Sequence, residues 1–105
     1  MIVELAIIAL IFLAAAATPI IFPSLMIQMI SHILVNRPDD YEGWVYYGGL
    51  LAKSRRYDDA ADALVTAVTL RPDISKGWEK LGDVYTILGD SERATEAYRL
   101  AADEA

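Results

Sequence analysis

Residues 41–74 read YEGWVYYGGLLAKSRRYDDAADALVTAVTLRPDI, and residues 75–105 read SKGWEKLGDVYTILGDSERATEAYRLAADEA. In each stretch a tryptophan is followed four residues later by a glycine: Trp44 by Gly48, and Trp78 by Gly82. The separation of Trp44 from Trp78 recurs between the other landmarks of the two stretches, with no gap. We call this constant separation the repeat offset. An offset that is the same at every landmark predicts two copies of one structural unit.

The residues that follow each tryptophan fall on one face of a predicted helix. In the first copy that face holds Trp44, Tyr47, Gly48 and Leu51, which is the spacing of a helix side. Each glycine lacks a side chain, so we expect a second helix to approach closely there, at a propensity cost of about 1 kcal/mol. The residues expected to face it from the second helix are Ala60, Leu64 and Ala67 in one copy, and Ala94, Tyr98 and Ala101 in the other.

These spacings resemble those of the tetratricopeptide repeat (TPR), a helix–turn–helix unit. Its pattern has a large residue, a glycine, two small residues and a closing proline, which is Pro72 here. The resemblance covers residues 41–74 and 75–105 and implies an all-α fold, in which antiparallel helix pairs stack into a short α-solenoid. Turn and cap residues fit this division. We expect Asp40 or Tyr41 to open the first helix, Ser75 to cap the third, and turns at residues 55–57 and 89–91.

An apolar stretch precedes the repeats. Residues 2–22 contain twelve Ile, Leu, Val or Phe residues, and only Glu4 and Thr18 are polar. As a helix, they would span roughly 31 Å, about the hydrocarbon thickness of a bilayer. The twelve large apolar residues favour insertion by roughly 4–7 kcal/mol. We therefore predict a single transmembrane helix over residues 1–23, with the lipid bilayer as its partner.

Two other interpretations of this stretch stay open. The alanines of residues 14–17 suit a signal-peptide cleavage site, although no basic residue precedes the apolar run, which continues beyond them. A partner protein inside the membrane would also cover such a helix, and Glu4 would then pair with a basic group of that partner. For a transmembrane helix, basic residues follow the span and none precedes it, so the positive-inside rule places the repeats on the cytoplasmic side.

Residues 24–38 are predicted to connect the span to the repeats at residues 39–105. We expect Pro19 to kink the first helix, Pro23 to end it or to open the next one, and Ser24 to cap a second helix over residues 25–36. Counting back by one repeat offset, the positions of Ala60, Leu64 and Ala67 fall on Met26, Ile30 and Ile33. We therefore interpret the connection as a degenerate half repeat whose first helix has become the membrane span.

Charge and chemistry exclude several functions. The net charge is −6, and residues 37–105 hold all nine basic and fourteen of the fifteen acidic residues. An acidic domain without a basic patch argues against nucleic-acid binding. With no cysteine, one histidine, His32, and no Ser–His–acid grouping, the chain offers nothing for nucleophilic or metal catalysis, so we expect no enzyme activity, metal, cofactor or small-molecule substrate. We assign His32 to packing or to the membrane interface.

The TPR resemblance implies protein binding on the concave surface, which the first helix of each repeat lines. The matching positions are Glu42, Val45, Gly49, Ala52, Lys53, Lys76, Glu79, Asp83, Thr86 and Ile87. Some family members hold a C-terminal carboxylate there with basic and amide groups, where this sequence has Val45, Gly49, Glu79 and Asp83. We expect instead a small apolar strip near the membrane and, farther out, two carboxylates, Glu79 and Asp83, that favour a basic group. The alternative is a solvated helix face.

These features together predict a membrane-anchored TPR protein that mediates protein–protein interaction, as an accessory or scaffold subunit of a membrane protein complex. The resemblance leaves a second function open, a transient assembly factor for membrane or cytochrome complexes. Stoichiometric co-purification with one complex would favour the scaffold, and substrate-dependent capture would favour the assembly factor.

Overall fold

The chain folds into five α-helices in the computed structural model, which describes residues 1–105 apart from the side chains of residues 16–21. The helices are α1 (Ile2–Asn36), α2 (Tyr41–Lys53), α3 (Tyr57–Leu70), α4 (Ser75–Ile87) and α5 (Ser91–Asp103). Helix α2 packs on α3, α4 packs on α5, and α3 joins the two pairs. Helix α1 packs only on α2 among the described helices. The predicted all-α solenoid of helix pairs is confirmed.

The boundaries of the helices repeat with the same offset as the landmarks of the sequence. Helices α2 and α4 start and finish one repeat offset apart, and the starts of α3 and α5 have the same separation. The indole Nε1–H of Trp44 donates to the carbonyl of Pro38 at 2.8 Å, and that of Trp78 donates to the carbonyl of Pro72 at 2.9 Å. Each tryptophan therefore ties its helix to the loop that precedes it.

Close approach at the two glycines is confirmed. A Cβ atom on Gly48 would lie 2.7 Å from Leu64 Cγ, and one on Gly82 would lie 2.6 Å from Tyr98 Cε1. Leu64 is almost completely buried, so its side chain fills the space that Gly48 leaves. The glycines thus allow α2 to pack on α3 and α4 to pack on α5.

The structure confirms one of the two helix caps that were expected from the sequence. The Asp40 carboxylate accepts a hydrogen bond from the Gly43 N–H at 3.1 Å and caps α2. The expected cap at Ser75 is wrong, because Ser75 is the first residue of α4 and takes the position of Tyr41 in the repeat. Ile74 precedes the helix instead, in an extended conformation and without a side-chain cap.

Both hairpin turns contain a residue in the left-handed region. Arg55 has φ 62° in the turn between α2 and α3, and Gly89 has φ 78° at the equivalent place in the second hairpin. Glycine adopts this conformation without a steric penalty. Arginine does not, and the conformation costs it about 1 kcal/mol.

Helix α1 differs from the prediction at Pro23. It continues through Pro23 to Asn36, so the expected end at Pro23 and cap at Ser24 are wrong. A proline removes only one donor from a helix, and packing against α2 holds the following residues in place. The predicted kink at Pro19 lies outside the described residues.

The buried face of α1 is the one that meets the next helix pair. Ile27 and Leu34 are 5% and 3% exposed, whereas Ile33 is 45% exposed. In the repeat register, Ile27 and Leu34 correspond to Ala61 and Val68, which face the following helix pair. The positions of Met26, Ile30 and Ile33 would pack against a first helix of the same repeat, and among the described residues no helix occupies that place.

The rest of α1 extends away from the solenoid. Residues 1–15 are all exposed, and the chain measures 65 × 32 × 20 Å. Its radius of gyration is 18.2 Å, compared with about 13 Å for a compact domain of this length. Within the residues that the structure describes, none of the helices has an apolar stretch long enough to cross a membrane. The predicted span, residues 2–22, includes residues 16–21, whose side chains are outside this description.

Candidate functional site

A groove of about 240 Å³ runs along the faces of α2 and α4. It brings together five of the residues predicted for the concave surface: Glu42, Val45, Gly49, Lys53 and Lys76. Three further lining residues were not predicted: Tyr46, Leu50 and Lys80. Lys80 follows Lys76 by one helical turn, and this i, i+4 spacing was the signal that could have identified it.

The other five predicted residues are absent from the lining of this groove: Ala52, Glu79, Asp83, Thr86 and Ile87. Ala52 packs against the main core, and the Thr86 hydroxyl donates to the Gly82 carbonyl at 2.8 Å. Glu79 and Ile87 are exposed elsewhere on α4.

Asp83 has an internal partner, which contradicts the expectation that it is free for a ligand. It accepts a hydrogen bond from the Tyr98 hydroxyl at 2.5 Å. Tyr98 stands at the position of Leu64 in the first pair, and its longer side chain reaches back to α4. The hydrogen bond to Asp83 raises the pKa of Tyr98 above its ordinary value of 10.0.

The floor of the groove is apolar and open. Val45 is buried, Leu50 is packed against the core, and a Cβ atom on Gly49 would meet no other atom within 4 Å. Gly49 therefore leaves room for a partner's side chain. A ligand atom can approach the α2 backbone more closely here than at a larger residue.

The rim of the groove carries all three lysines of the chain, Lys53, Lys76 and Lys80. In the part of the chain that the structure describes, none of them forms an ion pair. Most arginines, by contrast, are held by neighbouring carboxylates: Arg56, Arg71, Arg93 and Arg99. Glu42 is the one acidic residue in the lining, so the groove is cationic in a protein of net charge −6.

Among the described side chains, no group of three or more His, Asp or Glu residues is placed to hold an ion. The groove instead combines unpaired cations, an apolar floor and a gap at Gly49. Such a surface suits an extended segment of a protein partner, with buried apolar contacts and a charged rim.

Solved structures share this fold. The chain aligns with "MamA MSR-1 C2" at a TM-score of 0.75 and 20% identity, over 89% of this chain and 53% of that one. It aligns with "MamA AMB-1 C2221" at a TM-score of 0.76 and 20% identity, over 89% of this chain and 55% of that one. The chain thus spans about half the length of these proteins, and the likeness at this identity concerns the fold.

Sequence comparison identifies the family. A search of curated proteins finds no significant match. The profile of the tetratricopeptide repeat family, by contrast, matches residues 32–73 and residues 50–105. The first match begins within the last turns of α1, in agreement with the packing of Leu34 against α2. The chain belongs to the tetratricopeptide repeat family.

Proposed function

We propose that this protein is a membrane-anchored adaptor whose groove between α2 and α4 binds an acidic segment of a membrane protein complex. It is a scaffold or accessory subunit, and its solenoid lies on the cytoplasmic side. The observation that carries the proposal is the groove itself, where three lysines that form no ion pair with the described residues surround an apolar floor.

The proposed anchor is residues 2–22. Apart from Glu4, its described side chains are apolar and exposed: Ile7 and Ile8, the least exposed large ones, are still about half exposed. Monomeric soluble proteins rarely present a continuous apolar surface of this kind to water. Glu4 lies near the far end of the helix, where it can reach the membrane interface.

The proposed anchor leads directly into the repeats. Helices α2 with α3, and α4 with α5, form two repeats, and the end of α1 supplies the second helix of a third. The anchor confines the groove near the bilayer, which raises its effective concentration for membrane partners. Three basic groups on the rim favour a partner segment with carboxylates, and the gap at Gly49 accepts a small apolar side chain from the same segment.

The test is quantitative purification of the tagged full chain from native membranes, with cross-linking at the groove. We expect Lys76→Glu with Lys80→Glu to lose the partner that wild type retains. The matched control is Arg37→Glu, an equal change per residue at an exposed, unpaired position in the α1–α2 loop. Cross-linked partner segments should be acidic, and a constant ratio of partner to protein would identify a scaffold rather than a transient assembly factor.

Retention of the same partners by the double lysine variant would refute the groove as the docking surface. Cross-linking of a basic segment at Lys80 would also contradict the charge argument. Release of the chain from membranes by alkaline carbonate would refute the anchor and leave the groove proposal standing.

A further inference from the structure

The helices define two ends of the solenoid. Leu34 of α1 packs beside Gly43 of α2, where an added Cβ would lie 2.8 Å from Leu34 Cδ2. Because the two helices are antiparallel, the start of the described part of α1 beyond the anchor, near Ser24, lies level with Lys53 at the end of α2. Helix α4 repeats the direction of α2, so its last residue, Ile87, lies at this same end.

This end is the one from which the proposed anchor extends. It consists of the α2–α3 turn, with Lys53 and Arg55, and the α4–α5 turn, with Ile87 and Leu88. The opposite end holds the α1–α2 and α3–α4 loops, with Asp39, Asp73 and the Arg71 that pairs with Asp73. We call the first of these ends the anchor end.

Two apolar side chains project from the anchor end. Ile87 is 57% exposed and Leu88 is 39% exposed. Outside α1, the other large apolar residues this exposed among the described side chains are isolated from one another: Tyr46, Val65 and Tyr98. Ile87 and Leu88 are adjacent, at the tip of a turn, where they can enter an apolar layer together.

Arg55 lies at the same end of the solenoid as Ile87 and Leu88. Its side chain is exposed and forms no ion pair among the described residues, and its backbone is left-handed where the second hairpin has Gly89. Residues held in a strained conformation are concentrated at functional sites. Two other cations at this end, Arg56 and Arg93, are paired with Asp59 and Asp90.

Acidic groups also lie near this end. Asp58 and Glu92 are exposed in the first turns of α3 and α5, where they favour the helix dipoles. Unpaired charges of both signs therefore balance, so net charge alone does not draw this end to a membrane. The apolar pair supplies the attraction, and Arg55 is left to contact lipid phosphates.

We propose that the anchor end rests on the bilayer, with Ile87 and Leu88 in the interfacial layer and Arg55 against lipid phosphate groups. This inference rests on the proposed anchor, which brings the anchor end to the surface. The helix pairs then stand upright on the membrane and stack along it. The groove between α2 and α4 opens sideways, toward neighbouring membrane proteins.

The chain contains no cysteine, so one introduced cysteine places a fluorophore at one site. The full chain is reconstituted in vesicles of phosphatidylcholine and phosphatidylserine with nitroxide-labelled headgroups. One sample is labelled at Ser91→Cys, at the anchor end, and another at Asp39→Cys, at the opposite end. We expect severalfold stronger quenching at residue 91, since residue 39 lies about 20 Å farther from the bilayer, the length of a thirteen-residue helix.

Variants then test the named side chains. Ile87→Ser with Leu88→Ser should lower quenching at residue 91 toward that at residue 39, whereas Val65→Ser, an exposed apolar control on α3, should leave it unchanged. Arg55→Glu should lower the population in contact by at least about fivefold, the effect of one basic residue at an anionic surface.

Equal quenching at the two positions, in a chain that resists carbonate extraction, would overturn the contact while leaving the anchor intact. Strong quenching at residue 91 in a chain that carbonate releases would support the contact and refute the anchor. Shielding of residue 91 from a water-soluble quencher in native membranes, but not in pure lipid vesicles, would mean that a protein covers this end, and the proposal would be wrong.

Discussion

Two neighbouring glycines in α2 have opposite surroundings. A Cβ atom on Gly48 would lie 2.7 Å from the buried Leu64 Cγ, whereas one on Gly49 would meet nothing within 4 Å. Gly49→Ala should stabilise the protein by about 0.5–1 kcal/mol, because alanine is the better helix former. Gly48→Ala should destabilise it by about 1–3 kcal/mol through overpacking. Thermal melts of the two variants should shift in opposite directions, and equal shifts would contradict the packing at Gly48.

A second residue-scale prediction concerns alkaline pH. The hydrogen bond to Asp83 raises the pKa of Tyr98, so the folded state holds the hydroxyl proton more tightly than the unfolded state does. The stabilisation is fully present below pH 10 and is lost as pH rises through the folded pKa. Denaturant titrations should therefore show a stability difference between wild type and Tyr98→Phe that is constant below pH 10 and shrinks above it. A difference that grows above pH 10 would contradict the assignment.

Some contacts of single residues could be predicted from the sequence, and others could not. The face of α2 and the close approach at Gly48 were predictable, because helical spacing fixes which residues share a side. The hydrogen bond from Tyr98 to Asp83 was not predictable, since it depends on how far one side chain reaches across a helix pair. Lys80 was missed because the repeat resemblance placed its neighbour Glu79 on the concave surface, although the i, i+4 spacing from Lys76 indicated Lys80.

At the scale of helices, the repeat offset predicted α2–α5 well, because the first pair of helices has a counterpart in the second and each boundary is checked twice. Helix α1 has no second copy, and its predicted break at Pro23 was wrong. Its buried residues, Ile27 and Leu34, pack on α2 at the positions of Ala61 and Val68. Of the positions that a preceding helix would cover, Ile33 is exposed, and Met26 and Ile30 are partly exposed.

Adjacent residues of α1 test this assignment. Leu34 is 3% exposed and Ile33 is 45% exposed. Leu34→Ala should lower the free energy of unfolding by about 2–5 kcal/mol, through the loss of buried area and the cavity left behind. Ile33→Ala should change it by less than about 0.5 kcal/mol, as at other exposed positions. Urea unfolding measures both values, and a large loss for Ile33→Ala would mean that a second chain or helix covers that face.

At the scale of the whole molecule, composition divides the chain into an apolar helix and an acidic solenoid, and the structure adds how the two are joined. Helix α1 belongs to both, since residues 2–15 are exposed and the same helix enters the core at Ile27. The solenoid and the apolar segment therefore share one continuous helix. Neither the direction of the groove nor the anchor end could be predicted from composition, because both depend on this continuity.

Because the apolar segment and the solenoid are separate parts of the chain, we predict that the solenoid is stable without the apolar segment. Every buried side chain of the described residues lies at Ile27 or beyond, so removal of residues 1–22 leaves the core intact. Residues 23–105 should be monomeric in water without detergent, whereas the full chain, which exposes a long apolar surface, should aggregate under the same conditions. Light scattering coupled to size-exclusion chromatography measures both states, and thermal unfolding in detergent should give the two chains similar midpoints. A truncated chain that is unfolded would mean that residues 1–22 contribute to the core, and a full chain that stays monomeric in water would contradict the anchor.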